Sequence, residues 1–375
     1  MADPRFDRLA DVLVSHSCAL KPGEKVLIEA FDTPEPFVRS LVRASAAAGA
    51  LPLVTLRSHG VMRDLMLVAS EEQMRLLGEA DSHLMSKVDA YIGVRANPNI
   101  SQWSDVPADR MALYRTHWWT PVHRDVRVPD TRWVVLRWPD AAMAQLAGMS
   151  TEGFEDYYFR VCTLDYAKMS RAMEPLRQLM ERTDRVRLVA PGTDLRFSIR
   201  EIPAVSCGGD RNIPDGEVFT APVRDSVEGT IQFNTPTIYH GSSHEDVRLT
   251  FEGGRIVAAS STDTADLERK LDTDEGARYI GEFAIGFNPH ITQPMKDILF
   301  DEKIAGSIHL TPGNCYDEAS NGNRSKIHWD LVLRMTSDAG GGEIYFDDVL
   351  VRKDGRFVLP ELEGLNPEAL IGTKA

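Results

Sequence analysis

The sequence predicts two domains: an α/β N-terminal domain on a parallel sheet over residues 1–184, and an α+β, mostly antiparallel C-terminal domain over 185–375. Three observations point there. A chain of 375 residues, 43% hydrophobic and 26% charged, is long enough to bury two cores. In the first half, short apolar runs alternate with helical periodicities. In the second half, strand runs follow one another across Gly- and Asp-containing turns.

Phe6, Leu9 and Leu13 recur at helical spacing, and Lys21-Pro22-Gly23 breaks the chain. Lys25–Phe31 reads as a strand. Thr33 reads as the N-cap of a helix with Pro34 at its first position. That helix presents Phe37, Leu41, Ala44 and Ala48 on one face and stops at Gly49. Pro52–Leu56 is a second strand. Ser70 and Gln73 form a capping-box pattern for a helix running to about Lys87. Ala90–Arg95 and Trp133–Trp138 are the third and fourth strands, and right-handed crossovers make all four parallel. A helical region covers residues 154–181. Beyond it, Arg185–Val189 and Leu195–Ile199 flank the turn Pro191-Gly192-Thr193-Asp194, and Val247–Phe251 and Arg255–Ala258 flank Glu252-Gly253-Gly254. Lys326–Met335 and Glu343–Arg352 are further strands, and Val351–Val358 turns at Asp354-Gly355.

Lys and Arg number 42 against 56 Asp and Glu, a net charge of −14 with no basic run. That argues against nucleic acid and anionic membranes as partners and suits cations, either metal ions or amines. No apolar run reaches the ~18–20 residues of a membrane span. Met1–Arg8 has no apolar core, so no secretion signal is read and a cytoplasmic location is expected. Cys18, Cys162, Cys207 and Cys315 are too scattered for a disulfide framework or a thiolate zinc site. In that location the sequon at Asn99-Ile100-Ser101 is idle.

GxSxG, P-loop, GxGxxG and HExxH patterns are missing. What remains is a set of polar groups embedded in apolar sequence. On a strand through Ile327-His328-Trp329-Asp330-Leu331, His328 and Asp330 share one face and the apolar residues the other, which makes either a two-ligand platform or a solvated edge. Glu217, Glu282 and His309 each sit in apolar runs; an edge-strand glutamate or a satisfied core histidine would also explain them singly. Together, two imidazoles and three carboxylates suit two divalent cations with one bridging carboxylate. His240 and His244-Glu245-Asp246 read instead as a solvated turn, and His117 and His123 as packing or surface residues.

At these segments the sequence resembles the M29 aminopeptidases, the thermophilic-type metalloaminopeptidases. Asp215-Gly216-Glu217-Val218-Phe219-Thr220, Gly281-Glu282-Phe283-Ala284-Ile285-Gly286, Asp301-Glu302-Lys303-Ile304-Ala305-Gly306-Ser307-Ile308-His309 and Ser325-Lys326-Ile327-His328-Trp329-Asp330 resemble the family's metal-ligand segments in order. Arg132-Trp133 and Ala147-Gly148-Met149-Ser150 extend the likeness into the first half. The resemblance implies a catalytic C-terminal domain with zinc, cobalt or manganese, two ions held by Glu217, Glu282, His309, His328 and Asp330, and Glu282 as bridge. It implies hydrolysis of N-terminal residues from peptides by a water shared between the ions, Tyr316 stabilising the tetrahedral intermediate, and a homodimer. Glu318 is a candidate general base.

Between His309 and His328 the family usually reads close to ALGxxYPETGG, whereas residues 311–321 here keep Tyr316 and Glu318 but lose the proline and paired glycines. Substrate preference is the property those departures touch. Cys315 in this loop is either an oxidation-sensitive thiol or a small buried residue. The alternative enzyme is a mononuclear Fe(II) ring-cleaving dioxygenase of the hydroxypyridine type using His309, His328 and Asp330, for which Glu217 and Glu282 would be surplus. A third reading is a non-catalytic metal- or peptide-binding protein.

Overall fold

The computed structural model describes residues 3–372; Met1 and Ala2 of the stretch read as lacking a leader lie outside them. The chain forms two compact units. The first holds the described residues up to Thr163 together with Gly209–Ile213, and the second holds Leu164–Gly208 and the described residues from Pro214 on. The division thus falls at 163/164, not near 184. The reason is that helix Tyr166–Glu181 packs its buried Met169, Met173 and Leu176 face within the second unit.

In the first unit, β1 (Lys25–Phe31), β2 (Leu51–Arg57), β3 (Ala90–Arg95) and β4 (Arg132–Arg137) are all parallel, in the order β2-β1-β3-β4. The apolar runs of the central β1 and β3 are buried because helices cover a parallel sheet, β4 is partly buried, and the edge strand β2 exposes Leu51, Leu53, Val54 and Leu56. Helix Glu71–Met85 starts as expected, with Ser70 Oγ accepting from Gln73 N. Helix Glu35–Ala47 does not: Pro34 precedes it and Thr33 is not its cap. The Thr33 hydroxyl donates instead to the Phe31 carbonyl at 3.0 Å, which ties the loop to the end of β1. No helix among the described residues is long and apolar enough to cross a membrane.

His123 lies in this unit on a wide-wound helix, Arg115–Arg127, 7% exposed and packed against Tyr91 and Trp119. Burial lowers its imidazole to about 4; Glu29 opposes this and Arg127, Arg95 and Arg57 reinforce it. Its depressed value means that only the unfolded chain takes the proton between about 6.5 and 4. The histidine therefore costs nothing above 6.5 and progressively more as pH falls. We expect His123→Gln to lose roughly 2–3 kcal/mol less stability than wild type between pH 7 and 4.5, measured by denaturant unfolding at both values. Equal losses would show that His123 does not set this acid sensitivity.

The second unit carries two larger sheets and a hairpin. One sheet has the order β14-β13-β10-β6-β5-β18-β19-β20. It comprises β5 (Arg185–Ala190), β6 (Thr193–Ser198), β10 (Glu228–Gln232), β13 (Arg248–Glu252), β14 (Arg255–Ser260), β18 (Glu343–Phe346), β19 (Val349–Lys353) and β20 (Arg356–Phe357). The single strand expected over 343–352 is thus a hairpin. Asp347 and Asp348 both take left-handed backbone (φ 46° and 67°), the conformation of a tight two-residue turn. The other sheet, of order β17-β16-β15-β9-β7, consists of β7 (Val205–Cys207), β9 (Glu217–Thr220), β15 (Ile280–Gly286), β16 (Ser307–Pro312) and β17 (Leu331–Arg334). β8 (Asn212–Ile213) joins β4 in the first unit, and β11 (Thr237–Tyr239) pairs with β12 (Ser242–His244).

The β11–β12 hairpin corrects the solvated-turn reading. His240 is exposed at its tip, but His244 is fully buried beside Trp329, with Nδ1 3.1 Å from Ser261 Oγ and Nε2 3.0 Å from Asp266 Oδ2. Tyr239 stacks on the same indole. Trp329 thus gives the hairpin an apolar surface to close on.

Candidate metal centre

The β17-β16-β15-β9-β7 sheet separates two chemistries by strand alternation. Val218, Phe283, Ile285, Ile308 and Leu310 pack into the core on one face. Glu217, Glu282 and His309 lie on the other, because Glu217 pairs with Gly286, Ala284 with His309, and Glu282 with Thr311. A register shift between Ile280 and Glu282 marks a bulge at Gly281. A Cβ there would lie 2.4 Å from the Asn314 carbonyl oxygen, so glycine is what admits the loop carrying Tyr316. At Gly286 a Cβ would lie 2.7 Å from the Glu302 carbonyl oxygen, and the missing side chain brings that segment against the sheet.

The strand expected over 326–335 begins only at Leu331. Upstream, backbone groups are drawn to side chains instead of a ladder: Lys326 N donates to Asp274 Oδ2 at 2.7 Å and His328 N to the Tyr239 hydroxyl at 3.3 Å. One bridge, Gly313 with His328, keeps the extended path. His328 and Asp330 consequently still share a face, with Nε2 3.3 Å from Asp330 Oδ1. His328 Nδ1 lies 2.8 Å from the Asn314 carbonyl. A carbonyl only accepts, so Nδ1 carries a proton and Nε2 is the nitrogen turned to the cluster.

All five ligand candidates meet. His309 stands between two carboxylates, Nδ1 3.6 Å from Glu217 Oε2 and Nε2 3.2 Å from Glu282 Oε1. The other Glu282 oxygen lies 3.4 Å from His328 Nε2. Glu217, Glu282 and His309 form one group with donor atoms within 4.8 Å of one another, and Glu282, His328 and Asp330 form another. Glu282 belongs to both. Lys303 Nζ holds Glu217 Oε1 at 2.7 Å, and Thr311 Oγ1 donates to Asp330 Oδ1 at 2.6 Å.

Glu217 Oε2, Glu282 Oε2 and His309 Nδ1 are buried and make no hydrogen bond. Three unsatisfied groups in one spot are costly, and a cation would give each a partner. The electrostatics agree. Burial raises Glu217 to about 8 although Lys303 pulls it down. Burial opposes charge on the imidazoles, yet Glu217 and Glu282 push His309 up to about 10, and Asp330 with Glu282 push His328 up to about 10. Despite burial, His328 holds Asp330 below the usual carboxylate range. Donor set, burial and unpaired lone pairs all fit divalent metal.

Of the remaining candidates, Tyr316 is half-exposed, its ring 4.8 Å from that of His328 and 5.7 Å from that of Phe219. Desolvation, then the Glu282 and Asp330 carboxylates, push its phenol well up, so it stays protonated. Glu318 is exposed and belongs to none of the donor groups. Cys315 is fully buried, and its thiol donates to the Asn323 carbonyl at 3.1 Å. The residue that sequence reasoning passed over is Glu302. It groups with His309 and Asp330, pairs with Lys303, and is raised by burial. Its signal was in plain view, an acid seven residues before His309 and flanked by Asp301 and Lys303.

The family model for thermophilic metalloprotease (M29) matches residues 2–357. The chain belongs to the M29 family. Among curated M29 relatives, it is 25% identical to Aminopeptidase 2 of Geobacillus stearothermophilus, over 94% of this chain and 95% of that protein. It is 36% identical to Aminopeptidase AmpS of Bacillus subtilis over 126 residues, which span 30% of that relative. The solved structure of AmpT from Thermus thermophilus superposes with TM-score 0.79 at 23% identity, covering 95% of this chain and 99% of that one. A 2,5-dihydroxypyridine dioxygenase from Pseudomonas putida superposes with TM-score 0.61 at 16% identity, covering 96% and 98%. Both show the fold, parallel N-terminal sheet and antiparallel C-terminal sheets; the M29 fold therefore does not by itself select the chemistry.

Proposed function

We propose that this chain is a metal-dependent aminopeptidase that removes N-terminal residues from peptides, with two divalent cations held by Glu217, Glu282, His309, His328 and Asp330. The observation that carries the reading is the position of Glu282 in both donor groups, each of which also has its own imidazole and second carboxylate. A mononuclear iron site needs only His309, His328 and Asp330, and leaves the buried Glu217 and Glu282 without a task.

When bound, the cations supply Lewis acidity toward the scissile carbonyl and toward water. The protein's own groups do the rest. Lys303 fixes one oxygen of Glu217 and leaves the other for the site; Thr311 and Asn314 do the same for Asp330 and His328. The protonated Tyr316 hydroxyl donates to the oxygen that gains charge as the carbonyl becomes tetrahedral. Glu302 receives the proton of the attacking water and delivers it to the departing amine, a role suited to a carboxyl whose affinity for protons is already raised. Excess acidic charge in the cluster favours a free ammonium at the peptide N-terminus.

The test is chelation followed by restoration with Zn²⁺, Co²⁺, Mn²⁺ or Fe²⁺ against a panel of aminoacyl anilides. Hydrolysis should disappear and return with one of the first three ions, with two equivalents bound per chain. Oxygen uptake with Fe²⁺ and no released amine would replace the hydrolase with the dioxygenase. Glu302→Gln should keep both metal equivalents, lower kcat by ~10²–10⁴ and remove the acidic limb of the pH–rate profile. An unchanged profile would return the base to another group.

A further inference from the structure

The first unit carries a second built site that shares no residue with the carboxylate–imidazole cluster. The sheet order β2-β1-β3-β4 sends the chain to one side after β1 and to the other from β3 on. Such a switch point opens a crevice beyond the carboxyl ends of the strands, where α/β sheets take ligands. Here the crevice is a cavity of about 940 Å³, lined only by first-unit residues.

Its floor is one cross-strand row. Phe31 pairs with Arg57 on β2 and with Arg95 on β3, and Arg95 pairs with Arg137 on β4. Neighbouring strands ending in like charges repel unless something answers them. Arg57 is answered, by Glu29 at 2.7 Å and Asp81 at 2.7 Å. Among the described residues Arg95 has no acidic partner within 4 Å, and its Nε is buried without a hydrogen bond. Arg115, from the overlying helix, adds a charge at the rim. His123 lines the same cavity, more than nine-tenths buried, with Nδ1 unpartnered. One wall is aromatic: Trp103 meets Tyr114 edge-on, and Tyr114 meets Trp118. In a chain of net charge −14 a basic, aromatic cavity runs against the overall composition.

We propose that this cavity binds a small organic anion with a planar ring, its carboxylate or phosphate on Arg95 and Arg115 and its ring against the Trp103–Tyr114–Trp118 wall. Arg95, whose Nε has no partner, gains a charge-assisted bond, and the ring gains stacking and cation–π contact. The cavity volume suits a ligand of nucleotide size.

The test is calorimetric titration of the full chain, both metal-loaded and chelator-treated, with adenosine monophosphate and indole-3-acetate as probes. Adenosine, indole and inorganic phosphate are the controls. We expect saturable binding of one or both anionic probes, the one that binds identifying phosphate or carboxylate as the head group. Binding should be equal with and without metal, and weaker for ring or head group alone. Arg115→Gln, an exposed position, should weaken it roughly tenfold, the loss of one charged contact, and Arg95→Met by more. No saturable binding, binding that requires loaded metal, or full affinity in Arg115→Gln together with Arg95→Met would overturn the proposal. Because the readout is not hydrolysis, failure here leaves the aminopeptidase reading untouched.

Discussion

Glu282→Gln is expected to abolish hydrolysis and to leave the protein without its full complement of metal. The side chain keeps its size, so the packing of β15 survives, but one oxygen becomes an amide NH2 and the other loses its charge. Glu282 reaches both imidazoles directly, 3.2 Å from His309 Nε2 and 3.4 Å from His328 Nε2. Losing it therefore weakens both halves of the site together. Removing an outer-shell partner of a metal ligand typically costs ~10–100-fold in affinity, and a shared ligand should cost more than that in each half. Metal content after desalting is the measurement. Asp330→Ala is the comparison: it groups with Glu282 and His328 and also with Glu302 and His309, so it too should lose metal. Two equivalents retained in Glu282→Gln would remove the bridging role.

Tyr316→Phe should do the opposite, keeping metal and losing rate. The ring contacts with His328 and Phe219 persist in phenylalanine, so the loop stays in place. What disappears is one hydroxyl donor. A missing oxyanion donor costs ~10²–10³ in turnover, and the loss should fall on kcat with KM little changed. Since desolvation and then the surrounding carboxylates hold the phenol protonated, wild type should show no alkaline loss of rate from this group below its raised value. Wild-type turnover in Tyr316→Phe would take the hydroxyl out of the chemistry. The two variants separate binding from catalysis: one empties the site and the other leaves it loaded but slow.

The parts that were legible in the sequence are those in which neighbours along the chain decide. The apolar runs of β1 to β4 with helices between them fixed a parallel sheet, and the Ser70–Gln73 cap formed as written. Glu217, Glu282 and His309 stood out as lone polar groups in apolar strands, which is how the sheet presents them. Errors came where a distant group outcompeted the local pattern. Lys326 to His328 has a strand's sequence, but Asp274 and Tyr239 capture its backbone. His244 lies among turn residues, but Trp329, from the far side of the unit's sequence, buries it.

By itself the sequence determined which face of each strand is apolar and which residue types could bind metal, because side-chain alternation and the cost of a buried charge are local facts. Only the tertiary structure decided that Glu282 serves two donor groups, that Glu302 lies beside His309 while Glu318 is exposed, and that three arginines end strands of one sheet, Arg95 and Arg137 on neighbours. Those are distances between segments far apart in the chain. They are set by register, by two glycines that let backbones close in, and by which partner satisfies each buried polar group.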